Sequence, residues 1–442
     1  MRRPFLQMLV CTLLIAGSAG CGGGSSGGGP GNSVTFTFDT APTAAAVQIG
    51  TGNFELASLH GTSLGVSLPI GTSNYSIAYV CPPFVQGVPP KAQTFTEEFV
   101  IQASMQDGTS FNVTCLPFSP NPTLASLKGS LDTTAIPGAA FAGIASPGFE
   151  VGVTNSAGTQ VVNGPFSVNL PTGTSDLAVQ VFDSTTPFPN FLAAKILRNQ
   201  TVPGMLNGGS TVVFQPADEI TSQPLTISNV PAGFSSPPRV LVNFVTASGL
   251  DFNLSDSLEH SQFLTQYLVM PSAAVQSGDF YNFQITTQSF NSNGTNQIVA
   301  TSQNITGGGP VTISLPAPFL YNGPTPATFP TFIFNYSGFP TVLAQQAEIG
   351  WSLNSSTSND ITVTATANFQ NGANTVAIPN LASLSGFLAP AASGMIVDWQ
   401  ANIWGGTTQS VTNFLQPIGL SFSPHNGSIL SQVGIGGAYA AP

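Results

Sequence analysis

The chain has 442 residues, of which only 6% are charged and 42% are hydrophobic, and its formal net charge is −11. The 32 Phe residues exclude a disordered chain, which lacks the aromatic residues that build a core. The acidic balance argues against nucleic-acid binding and against direct contact with anionic membrane surfaces, because both use Lys and Arg. The length allows roughly two to four domains.

An export leader is predicted at residues 1–20. Basic Arg2 and Arg3 precede an apolar run and four small residues, which is the pattern of a signal peptide. The apolar run is too short for a transmembrane helix. The Ala19-Gly20-Cys21 sequence resembles the cleavage site of bacterial lipoproteins, a family in which the cysteine is acylated and the leader is cut off before it.

This resemblance implies that lipid on Cys21 holds the protein at the membrane of a bacterial cell envelope. Gly22 rather than Asp follows the cysteine, which by the same resemblance favours the outer membrane. Stable anchoring needs two or more acyl chains, and the lipoprotein modification supplies them. Residues 21–32 then form a flexible Gly/Ser tether. Ordinary secretion, with Cys21 left as a thiol, is the alternative.

Cys81 and Cys115 are the two cysteines that remain beyond the anchor. Each ends an alternating run, YSIAYVC and FNVTC, so each thiol lies on the same strand face as the apolar residues of its run. Export places them in an oxidising compartment, and we expect a disulfide between them. A two-cysteine metal site is the alternative, but it lacks nearby His or further Cys ligands. We expect neither a metal nor a cofactor.

Short alternating strands dominate the rest of the chain, separated by clusters of Pro, Gly, Asn and Ser. In chain order the clearest are VTFTF (34–38), FSVNL (166–170), RVLVNFV (239–245), YNFQITT (281–287), TFIFNY (331–336) and ITVTATANF (361–369). The best helix candidate is TVLAQQAEIG (341–350), followed by residues 257–267. The sequence therefore predicts an all-β protein.

A strand–turn–strand element repeats: VSLPIGTSNYSIAYV (66–80) aligns with VNLPTGTSDLAVQVF (168–182). Repeated β units indicate an array of similar modules, and about seven short strands each is typical of a two-sheet sandwich. The element resembles a strand-connecting loop of immunoglobulin-like and transthyretin-like surface modules, which implies tandem Ig-like β-sandwiches. We place independent modules in series at residues 33–122, 123–218, 219–322 and 323–442. A β-propeller is the alternative.

One serine lies in a sequence motif that is typical of hydrolase nucleophiles. GTSLG (61–65) matches G-x-S-x-G, with His60 beside it. That motif requires a helix after Ser63, whereas VSLP reads as a strand, so a chance match is preferred. His60, His260 and His425 fall in different modules and have no zinc-type spacing.

Acidic residues offer two further candidates. Glu97-Glu98 and Asp218-Glu219 are adjacent pairs whose members point to opposite strand faces, and we interpret them as solvated charges.

The second acidic candidate is DFNLSDSLE (251–259), which alternates oxygen ligands like a calcium loop. It has the wrong residues at the sixth and twelfth positions. A polar loop is preferred over a looser calcium site. The residues concerned are Asp251, Asn253, Ser255, Asp256 and Gln262.

Tryptophan raises the question of sugar binding. Trp399 alternates with apolar residues and is predicted to be core, whereas Trp404 falls on the opposite strand face. A ligand platform would need Trp404 with Tyr336 or Trp351 on one exposed surface.

The leading hypothesis is a non-enzymatic, lipid-anchored envelope protein that presents sandwich modules to a protein or polysaccharide partner. The alternatives are a carbohydrate-binding accessory lipoprotein and a secreted serine hydrolase that uses Ser63.

Overall fold

The protein is described by a computed structural model over residues 32–86, 92–115, 122–155, 157–183, 190–234, 238–256, 265–290, 295–407 and 428–442. These residues form 29 strands and one short α-helix, so the prediction of an all-β fold is confirmed. Cys21 and the tether lie outside the described residues. Among the described residues, no helix is both long and apolar enough to span a membrane.

Module 1 contains β1 Asn32–Phe38, β2 Ala44–Ile49, β3 Glu55–Leu56, β4 Ser63–Leu68, β5 Asn74–Val80, β6 Phe84–Gln86, β7 Gln93–Ser104 and β8 Ser110–Val113. Its small sheet has the order β4-β1-β8, with β8 parallel to β1. Its large layer has the order β3-β2-β5-β7, and β6 also pairs with β7. Val34, Phe36 and Phe38 point into the core between these layers, as the alternation in β1 predicts.

Module 2 contains β9 Leu124–Asp132, β10 Phe141–Ser146, β11 Phe149–Gly152, β12 Gly164–Pro171, β13 Gly173–Phe182, β14 Phe191–Val202, β15 Gly204–Met205 and β16 Val212–Val213. One sheet has the order β12-β9-β15, with β16 also on β9, and the other has the order β11-β10-β13-β14. The two sheets enclose a core of their own.

Module 3 contains β17 Thr221–Ser228, β18 Arg239–Val245, β19 Asp251–Asp256, β20 Gln266–Val269, β21 Phe280–Phe290, β22 Asn296–Ile305 and β23 Val311–Ser314. The small sheet is β20-β17-β23 and the large layer is β19-β18-β21-β22. In modules 1 to 3 the last strand lies parallel to the first.

Module 4 contains β24 Thr331–Ile333, β25 Val342–Asn354, β26 Thr357–Thr366, α1 Ala367–Gln370, β27 Thr375–Ala377, β28 Ile396–Gly406 and β29 Ile429–Ala440. Its small sheet is the pair β24-β27, and its large layer is β26-β25-β28-β29. The expected helix at 341–350 is wrong, since these residues fall in and around β25. Of the second helix candidate, residues 257–264 lie outside the described residues and β20 begins at Gln266.

The same strand distribution recurs in the first three modules. The first, fourth and last strands lie in the small sheet, which in module 2 also includes β15, and the remaining strands form the large layer. A constant immunoglobulin domain instead groups its first, second, fourth and fifth strands. The modules are thus two-sheet sandwiches, as predicted, with their own strand order.

The large layers of modules 1, 3 and 4 join edge to edge into one 13-stranded sheet. β22 pairs antiparallel with β29, and β26 pairs parallel with β7. The expectation of independent bodies in series is therefore wrong for these three modules. The physical reason is that an open strand edge carries unpaired N–H and C=O groups, which a neighbouring edge satisfies.

The small sheets of modules 1 and 4 cover opposite faces of this long sheet. Phe99 on β7 points into the module 1 core, whereas Ile361 on β26 points into the module 4 core. Their cross-strand partners are Thr362 and Glu98, respectively. At the junction, the face of the sheet that lines the core of one module therefore lies outside the core of the other module.

Candidate functional site

Ser63 does not occupy a nucleophile elbow. It begins β4, which continues as a strand to Leu68, whereas the elbow requires a helix after the serine. His60 and Ser63 exchange two backbone hydrogen bonds, with N···O distances of 2.9 and 3.1 Å. The match to the motif therefore reflects a tight turn that leads into a strand. His260, Gln262 and His425 lie outside the described residues.

The aromatic residues nominated for sugar binding do not gather on one surface. Trp399 is 7% exposed and packs edge-on against Tyr321, with ring centroids 5.8 Å apart, as predicted for a core residue. Trp351 is also buried. Trp404 lies on the opposite sheet face, half-buried in a cluster with Leu430. Tyr336 is half-buried elsewhere and donates its hydroxyl to the Ala317 carbonyl at 2.7 Å.

The interpretation of Glu97 and Glu98 as solvated charges is wrong. Both lie on β7, which is flanked by β5 and β26, and the residues that follow them, 99–101, are buried on both faces. Glu98 is 1% exposed, and Oε2 of Glu97 is buried without a hydrogen-bond partner. The two side chains do point to opposite faces, as the strand alternation predicts.

Glu97 belongs to an acidic cluster, which we define as Glu97, Asp360 and Glu348. Asp360 is the direct cross-strand partner of Glu97. Burial, followed by the charges of Asp360 and Glu348, raises the pKa of Glu97 to about 8. Burial and the charge of Asp360 raise the pKa of Glu348 to about 7.

Gly350 makes room for the acidic cluster. It lies directly opposite Asp360, and a Cβ at Gly350 would collide with Oδ1 of Asp360. Asp398 on β28 is the cross-strand partner of Gly350 from the other side. A row of acidic positions therefore crosses this part of the sheet, on the face opposite to the module 4 core.

Glu98 connects modules 1 and 4 on the other face. Its Oε2 accepts the backbone N–H of Leu388 at 2.9 Å, and its Oε1 is buried without a partner. Burial raises the pKa of Glu98 to about 7, although the bond from Leu388 lowers it. Nearby, a Cβ on Gly386 would press on Ala44, so the loop after β27 packs closely on module 1.

Asp218 is also buried rather than solvated, whereas Glu219 is exposed. The Asp218 carboxylate pairs with Lys195 Nζ at 2.8 Å and accepts the Gln215 N–H at 2.7 Å. The buried carboxylate of Asp218 therefore has a structural role within module 2.

Residues 251–256 form strand β19 rather than a polar loop. Ser255 Oγ accepts the Leu268 N–H at 3.2 Å, and Asp256 pairs with Arg239 at 2.9 Å. These contacts replace the ligand arrangement of a calcium loop. Across the described part of the chain, no group of three His, Cys, Asp or Glu side chains has the arrangement to hold a metal ion.

The Cys81–Cys115 disulfide is confirmed, with a Cα–Cα distance of 5.2 Å. Cys81 follows β5 in the large layer and Cys115 follows β8 in the small sheet, and both are buried. The bond therefore joins the two layers of module 1.

An ion-pair network between modules 2 and 3 was not predicted from the sequence. Arg198 on β14 contacts Asp176 at 2.8 Å and Asp279 at 2.5 Å, and it donates to the Ala274 carbonyl at 3.1 Å. Asp279 also accepts the Ala247 N–H at 3.0 Å. The rarity of Arg in this chain could have indicated the network, because a buried Arg is almost always paired with a carboxylate.

Three large apolar side chains are exposed at one end of the long sheet. They are Val85 on β6, Leu353 on β25 and Ile396 on β28, with exposed fractions of 61%, 47% and 61%. The strand register places all three at the end where β7 and β26 begin. Exposed apolar residues mark contact surfaces where they form a contiguous patch.

The chain was compared with known proteins. No protein-family model matches, and no curated protein matches. Among solved structures, the Bacillus anthracis TIE protein aligns at 10% identity over 84% of this chain, with a TM-score of 0.14, and the alignment spans 62% of that protein. A Bacteroides ovatus protein described as a candidate adhesin aligns at 13% identity over 45% of this chain and 96% of its own, with a TM-score of 0.15. A streptococcal ancillary pilin aligns at 8% identity over 63% of this chain and 89% of its own, with a TM-score of 0.14.

Proposed function

We propose that this protein is a non-enzymatic, lipid-anchored component of a bacterial cell envelope, located at the outer membrane, that presents β-sandwich modules for adhesive or structural contacts. The 13-stranded sheet is the observation that supports this proposal most directly. It makes modules 1, 3 and 4 parts of one hydrogen-bonded body. A continuous sheet resists deformation better than modules joined by linkers alone, which suits a protein that transmits contact forces.

The position of module 1 supports the anchor part of the proposal. Its first strand begins at Asn32, directly after the Gly/Ser tether that follows Cys21. A tether of about ten residues has an r.m.s. reach of roughly 18 Å. The folded modules would therefore be held away from the lipid surface. Their surfaces, including the end of the long sheet with exposed Val85, Leu353 and Ile396, would stay accessible to a protein or polysaccharide partner.

The geometry around the nominated residues favours this proposal over its alternatives. A serine hydrolase would need a helix after Ser63, and β4 follows instead. A sugar platform would need Trp404 beside Trp351 or Tyr336, but Trp404 packs in a different cluster from the other two. Presentation of modules requires neither arrangement.

Membrane fractionation tests the anchor. We expect the full chain in the outer-membrane fraction and the Cys21→Ser variant in the soluble fraction, because the variant cannot be acylated. Cys11→Ser is the matched control, since Cys11 lies in the leader, and it should fractionate like the unmodified chain. Membrane association of Cys21→Ser would rule out the lipid anchor.

An attachment assay tests the role. Cells that display the full chain should bind surfaces coated with protein or polysaccharide more strongly than cells that carry the Cys21→Ser variant. Ser63→Ala should match the unmodified chain in attachment and in hydrolysis of simple esters. Ester hydrolysis that disappears in Ser63→Ala would instead support the hydrolase.

A further inference from the structure

The pairing of β7 with β26 is the only backbone-paired contact between modules 1 and 4 in the described residues. We call it the seam, and it pairs Thr94–Gln102 with Thr357–Ala365 in parallel. Side chains reinforce it at one end: the Asp107 carboxylate of module 1 accepts hydrogen bonds at 2.5 Å from Thr366 Oγ1 and Asn368 Nδ2 of module 4. The seam therefore supplies the backbone pairing that attaches module 1 to module 4.

Acidic side chains line both faces of the seam. On one face, Glu97 and Asp360 are direct cross-strand neighbours, with Glu348 on the next strand. On the other face, Glu98 reaches across to the Leu388 N–H. Like charges directly opposite each other in a sheet destabilise the pairing, so this arrangement is unfavourable when the carboxyl groups are ionised.

No Lys or Arg is available to offset these charges in the described parts of modules 1 and 4. The sequence holds no Lys or Arg in residues 323–442, and in residues 33–122 it holds only Lys91, which lies outside the described residues. The four cations whose positions are described belong to modules 2 and 3. They are Lys128, Lys195, Arg198 and Arg239.

The other titratable groups around the acidic cluster supply no positive charge. Asp398 on β28 lies in the same row of the sheet. On the module 1 side, Tyr79 on β5 pairs with Phe99, two residues from Glu97, and its pKa is raised by burial and then by the charges of Glu97 and Asp39. Each of these groups is neutral or acidic, so proton uptake by Glu97 itself reduces the repulsion within the cluster.

We propose that the seam is a proton-dependent joint, in which protonation of Glu97 and Glu98 holds module 1 on module 4 and their ionisation loosens it. The direction follows from linkage. The pKa values of Glu97 and Glu98 lie at about 8 and about 7 in the closed joint, above the ordinary 4.5. In the closed state module 1 is paired with module 4, and in the open state the seam is separated. Between the ordinary pKa and the raised values, the closed state therefore binds more protons than the open state. The joint accordingly weakens as the pH rises through that interval. This inference is independent of the adhesive role.

Hydrogen exchange of the full chain, measured by mass spectrometry in EDTA buffer, tests the joint. After correction for intrinsic exchange, protection of the seam peptides should fall by about tenfold or more from about pH 5 to about pH 8.5, since one pKa unit corresponds to tenfold. Peptides from β13 in module 2 serve as the internal reference. Equal pH dependence at the seam and in β13 would overturn the proposal.

Variants assign the effect to the two carboxyl groups. Glu97→Gln/Glu98→Gln should reduce the change in seam protection to about threefold or less, because neither side chain then ionises. Glu97→Asp keeps the charge and should keep the pH dependence, which separates titration from a packing defect. Glu55→Gln, at an exposed position in module 1, should behave like the unmodified chain. Full pH dependence in the double variant would refute the assignment.

Discussion

Arg198 of module 2 and Asp279 of module 3 meet at 2.5 Å, in a contact where the aspartate side chain has no exposed surface. Asp176 of module 2 contacts the same guanidinium at 2.8 Å. One cation thus serves two carboxylates from different modules. Because 81 residues separate Arg198 from Asp279, the pair fixes an arrangement that local sequence does not determine.

Arg198→Met should destabilise the junction between modules 2 and 3. Removing one partner from a buried ion pair costs about 3–5 kcal/mol, because the remaining carboxylates stay buried without compensation. Urea unfolding of the full chain, followed by tryptophan and far-UV signals, measures the loss. Arg239→Met removes a more exposed pair with Asp256 and should cost about 1 kcal/mol or less. Equal losses in the two variants would contradict the special role of Arg198.

Removal of the disulfide should destabilise module 1 in particular. The Cys81→Ala/Cys115→Ala variant loses a link over a sequence separation of 34 residues, worth about 3–4 kcal/mol in the loop-entropy model. Hydrogen exchange should show faster opening of β1 and β8, whereas the exchange of module 2 peptides stays unchanged. A uniform loss across all modules would show that the bond does not act locally.

The charge of Asp251 should make module 3 less stable at neutral pH than in acid. Burial raises the pKa of Asp251 from 3.8 to about 6, although a hydrogen bond from Asn243 lowers it. The folded state therefore binds more protons than the unfolded state between these values, and stability falls as the pH rises through them.

Asp251→Asn keeps the shape of the side chain and removes the charge. The Tm of this variant should exceed that of the unmodified chain at about pH 8 and match it at about pH 3.5, below both pKa values. Added calcium should leave both values unchanged. A calcium-dependent rise in Tm that Asp251→Asn removes would restore the calcium interpretation.

The two tryptophans of β28 should respond differently to truncation. Trp399→Ala should cost about 3–5 kcal/mol, as is usual for a buried aromatic residue. Its ring fills space beside Gly323 and Gly437, where a Cβ would come within 3.0 Å of it. Trp404→Ala should cost less, since Trp404 is half-buried in a small cluster. Chemical denaturation measures both, and loss of polysaccharide binding in Trp404→Ala with unchanged stability would support the sugar-binding alternative.

Patterns within single strands were predictable from the sequence. Alternation places Phe36 in the core, and the apolar stripes that end at Cys81 and Cys115 point both thiols inward. These predictions work because side chains in a strand alternate between faces. The information needed is contained in a few consecutive residues.

Relationships between strands were not predictable in the same way. The 341–350 segment contains Ala, Gln and Glu, which favour helices, but β25 lies between β26 and β28 and its alternation of Ala347, Ile349 and Trp351 faces the core. The buried state of Glu97 and Glu98 likewise depends on β26, which is distant in sequence. Backbone pairing of two sheet edges requires no particular side chains, so no sequence motif predicts which edges will pair.

The bond between the Leu388 N–H and Glu98 spans 290 residues of sequence, and the same separation applies to the order in which the protein is synthesised. Strand β7 is synthesised long before β26, so its edge stays without its final partner until the rest of the chain has been made. Pairings this distant form slowly, and an open edge attracts other chains. An N-terminal half produced alone would therefore be prone to self-association through this edge.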